Sequence, residues 1–337
     1  MNQVSDFGVL TPDVILNCVE KAIGHRLTGL TSPLPSYINR VYELLAMDDT
    51  RFVVKFYRPG RWALEALIDE HDFVIACAEN EIPVVAPMVL DTGKTIGEVE
   101  GIYFAVFPKR SGREMEIIDD EDWKRMGRIV GRIHVAGAEK EATSRIRLHP
   151  SFSTIGDIAQ LTDGGFVSPV YLNRFKDITS RIFDISVGLF DDIDFIRLHG
   201  DCHLKNFLHR PGEGLMMIDF DDMMTGPPIQ DLWLLLGDYA NESKREMNLL
   251  LQGYEQFREF DDRTLRLIEP LRAMRIIYFL AWCSKQSNDY KFKTTFPDWG
   301  SEMFWQTEVK DLEIQLQVIE EHLGKSEAKP IFVNGNC

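Results

Sequence analysis

Asp201 and Asn206 stand five residues apart in Leu198-His199-Gly200-Asp201-Cys202-His203-Leu204-Lys205-Asn206. Asp219 follows thirteen positions after Asn206, inside Ile218-Asp219-Phe220-Asp221-Asp222. A carboxylate, an amide and a second carboxylate in this order suit phosphoryl transfer. That reaction needs a carboxylate to orient the attacking hydroxyl and take its proton, and oxygen ligands for the Mg²⁺ that bridges the phosphates of ATP. Asp201 fits the first role; Asn206 and Asp219 can supply the ligands, and Asp219 belongs with Asp201 in the catalytic set. A lone Asp-x₄-Asn is usually a polar loop. Preceded by His-Gly-Asp, followed by Ile-Asp-Phe-Asp and flanked by apolar strands, it reads as a chemical centre.

A second signal is Val53-Val54-Lys55-Phe56-Tyr57. A lysine among apolar and β-branched neighbours needs a partner for its charge if the strand is half-buried. Glu70, fifteen residues on in the next helical stretch, is the expected partner, with Glu65 as its rival. Lys55 and Glu70 together would hold the α- and β-phosphates of ATP. Taken alone, a surface lysine on an edge strand is an equally good reading; beside Asp201 and Asp219 the functional one is preferred. Asp231 follows Gly226-Pro227-Pro228 and opens an apolar run, so it can cap a helix and also brace the His199–Asp201 loop. His199 and His203 lack a third partner for zinc, and His199 reads as a structural histidine under the loop. His134 reads as a core residue, and Cys202 is given no chemistry.

The flanking elements must hold these residues in place. Thr11 and Pro12 open a helix that Gly24 ends. Strands are expected over 37–45 and 51–57, a helix over 62–80, and short strands near 84–90, 95–99 and 102–107. Helices are expected near 122–140 and 170–189. A strand-loop-strand-turn-strand passage is expected over 195–220, and mostly helix from 230 to about 323. This is an α+β arrangement: an antiparallel-sheet lobe over 1–107, a connector at 108–113, a mainly helical lobe over 114–325 and a tail at 326–337. A cleft between the lobes is the expected place for ligands.

The chain of 337 residues is long enough to bury substantial cores. No apolar run approaches the roughly 18 residues that span a bilayer, and residues 1–8 carry no signal-peptide pattern. The five cysteines are scattered and form no Cys-x-x-Cys pair, which argues against a disulfide framework or a structural zinc site. A cytoplasmic protein without a membrane partner is expected. The net charge of −16 disfavours nucleic acid and would suit a basic peptide substrate.

His-Gly-Asp-x-His-x-x-Asn followed by Ile-Asp-x-x-Asp resembles the aminoglycoside phosphotransferase and choline kinase branch of the bilobal protein-kinase-like fold. Ser36 to Tyr42, Phe52 to Pro59, Phe104 to Pro108, Arg197 to Asn206, Gln230 to Leu235 and Ile268 to Arg275 resemble the bacterial stress response kinase A family. That resemblance implies a cytosolic, monomeric, Mg²⁺- and ATP-dependent serine/threonine protein kinase. It also implies Asp201 as proton acceptor, Asn206 and Asp219 as magnesium ligands and Ser36 as an ATP contact. Three features depart from ordinary protein kinases. Thr31 to Ser36 stands where a glycine-rich loop would be, His203 stands where a lysine is common, and only eleven residues separate Asp219 from Asp231. The last leaves no room for a long activation loop. A small-molecule alcohol phosphotransferase, of the aminoglycoside, choline or homoserine kinase type, is therefore the alternative. A pseudokinase is the weakest reading, because Lys55, Asp201, Asn206 and Asp219 are all present.

Overall fold

The computed structural model describes residues 7–326. The tail expected at 326–337 lies almost wholly outside them. The chain forms two compact units, one of residues 1–145, 197–224 and 248–259, the other of residues 146–196, 225–247 and 260–337.

The first unit begins with helix α1 (Pro12–Ile23), where the Thr11 hydroxyl accepts from Val14 N–H and Gly24 closes the helix at φ +67°. Strands β1 (Leu27–Leu34), β2 (Arg40–Ala46) and β3 (Arg51–Phe56) follow, then helix α2 (Leu64–Glu79) and strands β4 (Gly97–Val99) and β5 (Ile102–Pro108). These strands form one antiparallel sheet in the order β1-β2-β3-β5-β4. Alternation along β3 decides which side each residue serves. Phe52, Val54 and Phe56 join Ile15 and Val19 of α1 in one core. Lys55 therefore belongs to the opposite face, paired in register with Val41 and Ala105 at the centre of the sheet.

Strand β1 is absent from the expectations, because Gly29 and Pro33 make its sequence look like loop. At the sheet edge, a proline's missing N–H costs no ladder bond. The strand expected at 84–90 reduces to one bridge between Val84 and Met217, since Pro83 and Pro87 lack donors. The strand expected from residue 37 starts only at Arg40.

Strand β6 (Arg113–Glu114) leads to helix α3 (Asp120–Ala138), opened by a capping box between Asp119 and Asp122. Further on come helices α4 (Ile155–Asp163) and α5 (Leu172–Val187), strand β7 (Ile196–Leu198) and the hairpin β8 (Phe207–Arg210) and β9 (Gly214–Met217). Strands β6, β8 and β9 form a small sheet, and Met217 N–H donates to Pro83 C=O, which ties the hairpin to the chain after α2. Gly127 and Gly131 of α3 lie so close to the backbone at Leu250 and Tyr254 that any Cβ there would collide. His134 is fully buried and bonds the Tyr254 hydroxyl at 3.0 Å, as a core histidine should.

The remaining helices are α6 (Ile229–Trp233), α7 (Lys244–Tyr254), α8 (Ile268–Gln286), α9 (Tyr290–Thr295) and α10 (Glu302–Ser326). The second unit has its own core, with Leu161, Phe175, Ile178, Ile277, Leu280, Trp305 and Leu312 among its members. No helix among the described residues is long and apolar enough to cross a membrane.

Candidate active site

The loop after β7 turns on Gly200 at φ +85°, a conformation that L side chains rarely adopt. A Cβ at Gly200 would also run into the Asp222 carbonyl. His199 is fully buried and packs on Phe220 at 4.6 Å between ring centroids. Its Nε2 meets the Ile218 carbonyl at 2.9 Å, so Nε2 carries the proton and Nδ1 accepts from Asp201 N–H at 3.3 Å. His199 thus fixes the backbone on both sides of the site.

Asp201 is partly exposed, and its Oδ2 lies 3.2 Å from His203 Nε2. Asn206 Nδ2 donates to the Asp201 carbonyl at 2.8 Å. That contact leaves the amide oxygen as the atom of Asn206 able to ligate a cation. Ile218 N–H donates to the Asn206 carbonyl at 2.9 Å, which fastens Asp219 to the end of the catalytic loop. Asp219 has φ +64°, strained for a residue with a Cβ, and its side chain is about half exposed.

Lys55 Nζ stands 2.7 Å from Asp219 Oδ1 and 3.5 Å from Asp221 Oδ1. Burial would pull its pKa down, but the charges of Asp219, Asp221 and Glu70 outweigh that and hold it well above the usual lysine value. The expected Lys55–Glu70 pair is therefore corrected. Glu70, not the exposed Glu65, is the buried glutamate of α2, but its bonded partner is Arg145. Arg145 has no exposed side-chain surface, so its charge demands a carboxylate at contact, while Lys55 has two aspartates of its own. Burial, only partly offset by Lys55 and Arg145, pushes the Glu70 carboxyl up to about 7.

Asp221 lies at the centre of this network. It accepts from Asn39 Nδ2 at 3.2 Å, pairs with Arg61 Nη1, and passes its carbonyl to Arg145 Nη1 at 2.8 Å. Arg61 Nη2 reaches Asp222 Oδ1 at 2.6 Å. Burial alone would raise the Asp221 pKa; Lys55, Arg61 and Arg145 reverse this and hold it below the usual carboxylate range. Ser36 lies half-buried in the turn between β1 and β2, three residues before Asn39. Asp231 is buried in α6, in the second unit.

Asn39, Arg61 and Arg145 were not among the residues expected to build the site. Arg61 follows the Pro59-Gly60 break and Arg145 sits in Thr143-Ser144-Arg145, and neither stretch carries a periodic signal. Asp221 is legible only as part of Ile-Asp-Phe-Asp-Asp.

Among the described residues, no group of three or more histidine, cysteine or acidic side chains gathers to hold a metal. The donor set at Asn206 and Asp219 is nevertheless all oxygen, one amide and one carboxylate. It fits a hard divalent cation that keeps waters and takes its remaining ligands from phosphate.

A sheet lysine, a catalytic loop and an aspartate turn assembled in this way define a kinase-like phosphotransferase. The model of the APH phosphotransferase enzyme family matches residues 31–268. Stress response kinase A of Escherichia coli strain K12 is 35% identical over 321 residues, covering 95% of this chain and 97% of that protein. A Salmonella typhimurium relative called serine/threonine protein kinase RdoA is 34% identical over 316 residues, covering 94% and 95%. Among solved structures, the amicoumacin kinase hAmiN in complex with AMP-PNP, Ca²⁺ and Ami superposes with a TM-score of 0.68 at 19% identity, covering 92% of this chain and 93% of that one. A microcompartment-associated aminopropanol kinase gives 0.69 at 14% identity, covering 95% and 99%. These two show the shared fold. The chain belongs to the phosphotransferase enzyme family and, within it, to the stress response kinase A family. It is an ATP-dependent kinase.

Proposed function

We propose that the chain is a cytoplasmic, monomeric serine/threonine protein kinase of stress response that uses ATP with Mg²⁺. The observation that carries the reading is the 35% identity over 95% of the chain to stress response kinase A. In this reading residues 1–107 cover the nucleotide, 108–113 connect, and 114–325 carry the catalytic loop. A serine or threonine hydroxyl oxygen bonds to the γ-phosphorus as the β–γ bridge breaks, ADP leaves, and the hydroxyl proton passes to Asp201. His203, within hydrogen-bond reach of Asp201 Oδ2, orients that carboxylate. Lys55 supplies positive charge to the phosphates, Glu70 adds to the field around Lys55, and Ser36 contacts ATP from the β1–β2 turn. Asn206 and Asp219 would hold the magnesium, which neutralises charge on the phosphates.

The second reading, a small alcohol as acceptor, is favoured by the short stretch between Asp219 and Asp231, which holds no long activation loop. Transfer from labelled ATP into a cell lysate, with protein and small-molecule products separated, distinguishes the two. Label in phosphoserine and phosphothreonine is expected. Label confined to one small alcohol would overturn the protein-kinase reading.

A further inference from the structure

The Asp219–Asp222 turn is gripped by two guanidiniums that the chemistry of phosphoryl transfer does not itself call for. Arg145 uses all three of its nitrogens. Nε donates to Ala66 C=O of α2 at 2.8 Å, Nη1 donates to Asp221 C=O at 2.8 Å, and Nη2 pairs with Glu70. Its face lies 4.1 Å from the Trp62 ring centroid. Arg61 holds the same turn by its side chains, through the carboxylates of Asp221 and Asp222. Both arginines are largely or wholly buried.

Two features at the turn need such a restraint. Asp219 stays at φ +64°, a left-handed conformation that is strained for a residue with a Cβ and persists only where the surroundings over-determine it. The Asp222 carbonyl lies hard against Gly200, the residue before Asp201. A shift of the turn is therefore passed directly to the catalytic loop.

We propose that Arg145 and Arg61 are positioning residues of the phosphotransfer site, which lock the Asp219–Asp222 turn to helix α2 and to Gly200. Arg145 takes Glu70 from Lys55 and makes the glutamate of α2 report on the turn instead of on the sheet lysine. A planar fork can hold a carbonyl and a carboxylate at one fixed geometry; an ammonium cannot. Lys55 is thereby left to answer to Asp219, Asp221 and the phosphates.

The inference rests on the phosphotransferase reading of Asp201, Asn206 and Asp219 and is independent of the acceptor. The test uses the full-length chain with Arg145→Lys, Arg145→Met and Arg61→Lys, each assayed below its own Tm. ADP release from ATP with Mg²⁺, with water taking the γ-phosphoryl group and leaving as orthophosphate, gives kcat and KM, and amide hydrogen exchange reports on the turn and on α2. We expect kcat to fall about 10²-fold, as small misplacements of reacting groups do, with KM for ATP held within about threefold. In the Arg145 variants, exchange should rise together at residues 219–222 and around Glu70. A folded Arg145→Lys with wild-type kcat and unchanged exchange would overturn the proposal. If both Arg145 variants fail to fold, Arg61→Lys decides: wild-type kcat rejects the proposal, and reduced kcat with an unchanged Tm supports it. A wild type that neither hydrolyses nor binds ATP with any divalent metal would count against the phosphotransferase reading, while the exchange experiment still reads the coupling.

Discussion

His71 is the residue through which acid should loosen the packing of α2 against Tyr57 and Thr95. It follows Glu70 in α2 and is 2% exposed, with Nε2 2.8 Å from the Tyr57 hydroxyl and Nδ1 2.7 Å from Thr95 Oγ1. Burial, reinforced by the positive charges of Lys55 and Arg145, lowers its pKa from 6.5 to about 3. Between those two values the unfolded chain holds a proton that the folded chain refuses. The unfolded state binds more protons there, so stability rises with pH through this window and is lost as pH falls. Each pH unit of that imbalance is worth about 1.4 kcal/mol, so the fall from 6.5 to 4 removes about 3 kcal/mol. His71→Gln keeps one hydroxyl partner and never charges. Urea unfolding of both proteins at pH 7, 5.5 and 4 isolates the effect, because the titrating groups common to both proteins cancel in the difference. The wild type's advantage over His71→Gln should shrink by about 3 kcal/mol between pH 7 and pH 4. Stability curves that stay parallel would refute a neutral, proton-refusing His71.

Asp201→Asn should keep the fold and ATP affinity while cutting turnover by about 10²–10⁴-fold, the worth of a positioned base; near wild-type turnover at saturating magnesium would move the base elsewhere. Asp219→Ala should abolish turnover and weaken Mg²⁺-ATP binding more than metal-free ATP binding, measured by calorimetry; equal losses would remove its metal role. Gly200→Ala should cost at least about 1–3 kcal/mol and abolish activity, because its obstacle is the Asp222 backbone and not a side chain that can swing away. Transfer to basic serine peptides should weaken as salt rises, since surface carboxylates steer such substrates only while unscreened; a flat salt series would argue for a small neutral acceptor.

The residues proposed to carry the chemistry are legible as a group because they are close in sequence. Asp201, Asn206 and Asp219 sit on one loop and hairpin whose spacing is local. Lys55 was legible from the apolar strand around it. The ion-pair wiring was not, because it is settled by contacts across long sequence separations. Arg145 reaches Glu70 from seventy-five residues away, and Asn39 reaches Asp221 from one hundred and eighty-two. The pairing between a buried lysine and a helix glutamate is plausible at the level of sequence; only packing shows that a fully buried guanidinium claims the glutamate first. The same reasoning covers β1, whose edge position excuses a proline that local rules count against a strand.

Because the first compact unit gathers residues 1–145, 197–224 and 248–259, its completion has a timetable set by protein synthesis. The glycine face of α3 finds the backbone of Leu250 and Tyr254, and His134 finds its hydroxyl, only once those distant residues exist. Translation at about 5–20 residues per second puts roughly 6 to 23 seconds between the end of α3 and Tyr254. Through that interval the nascent chain carries the packing face of α3 without the backbone and hydroxyl that cover it. Newborn molecules of this enzyme should therefore depend on holding chaperones, and a chain cut after Arg145 should not fold as a nucleotide-binding fragment.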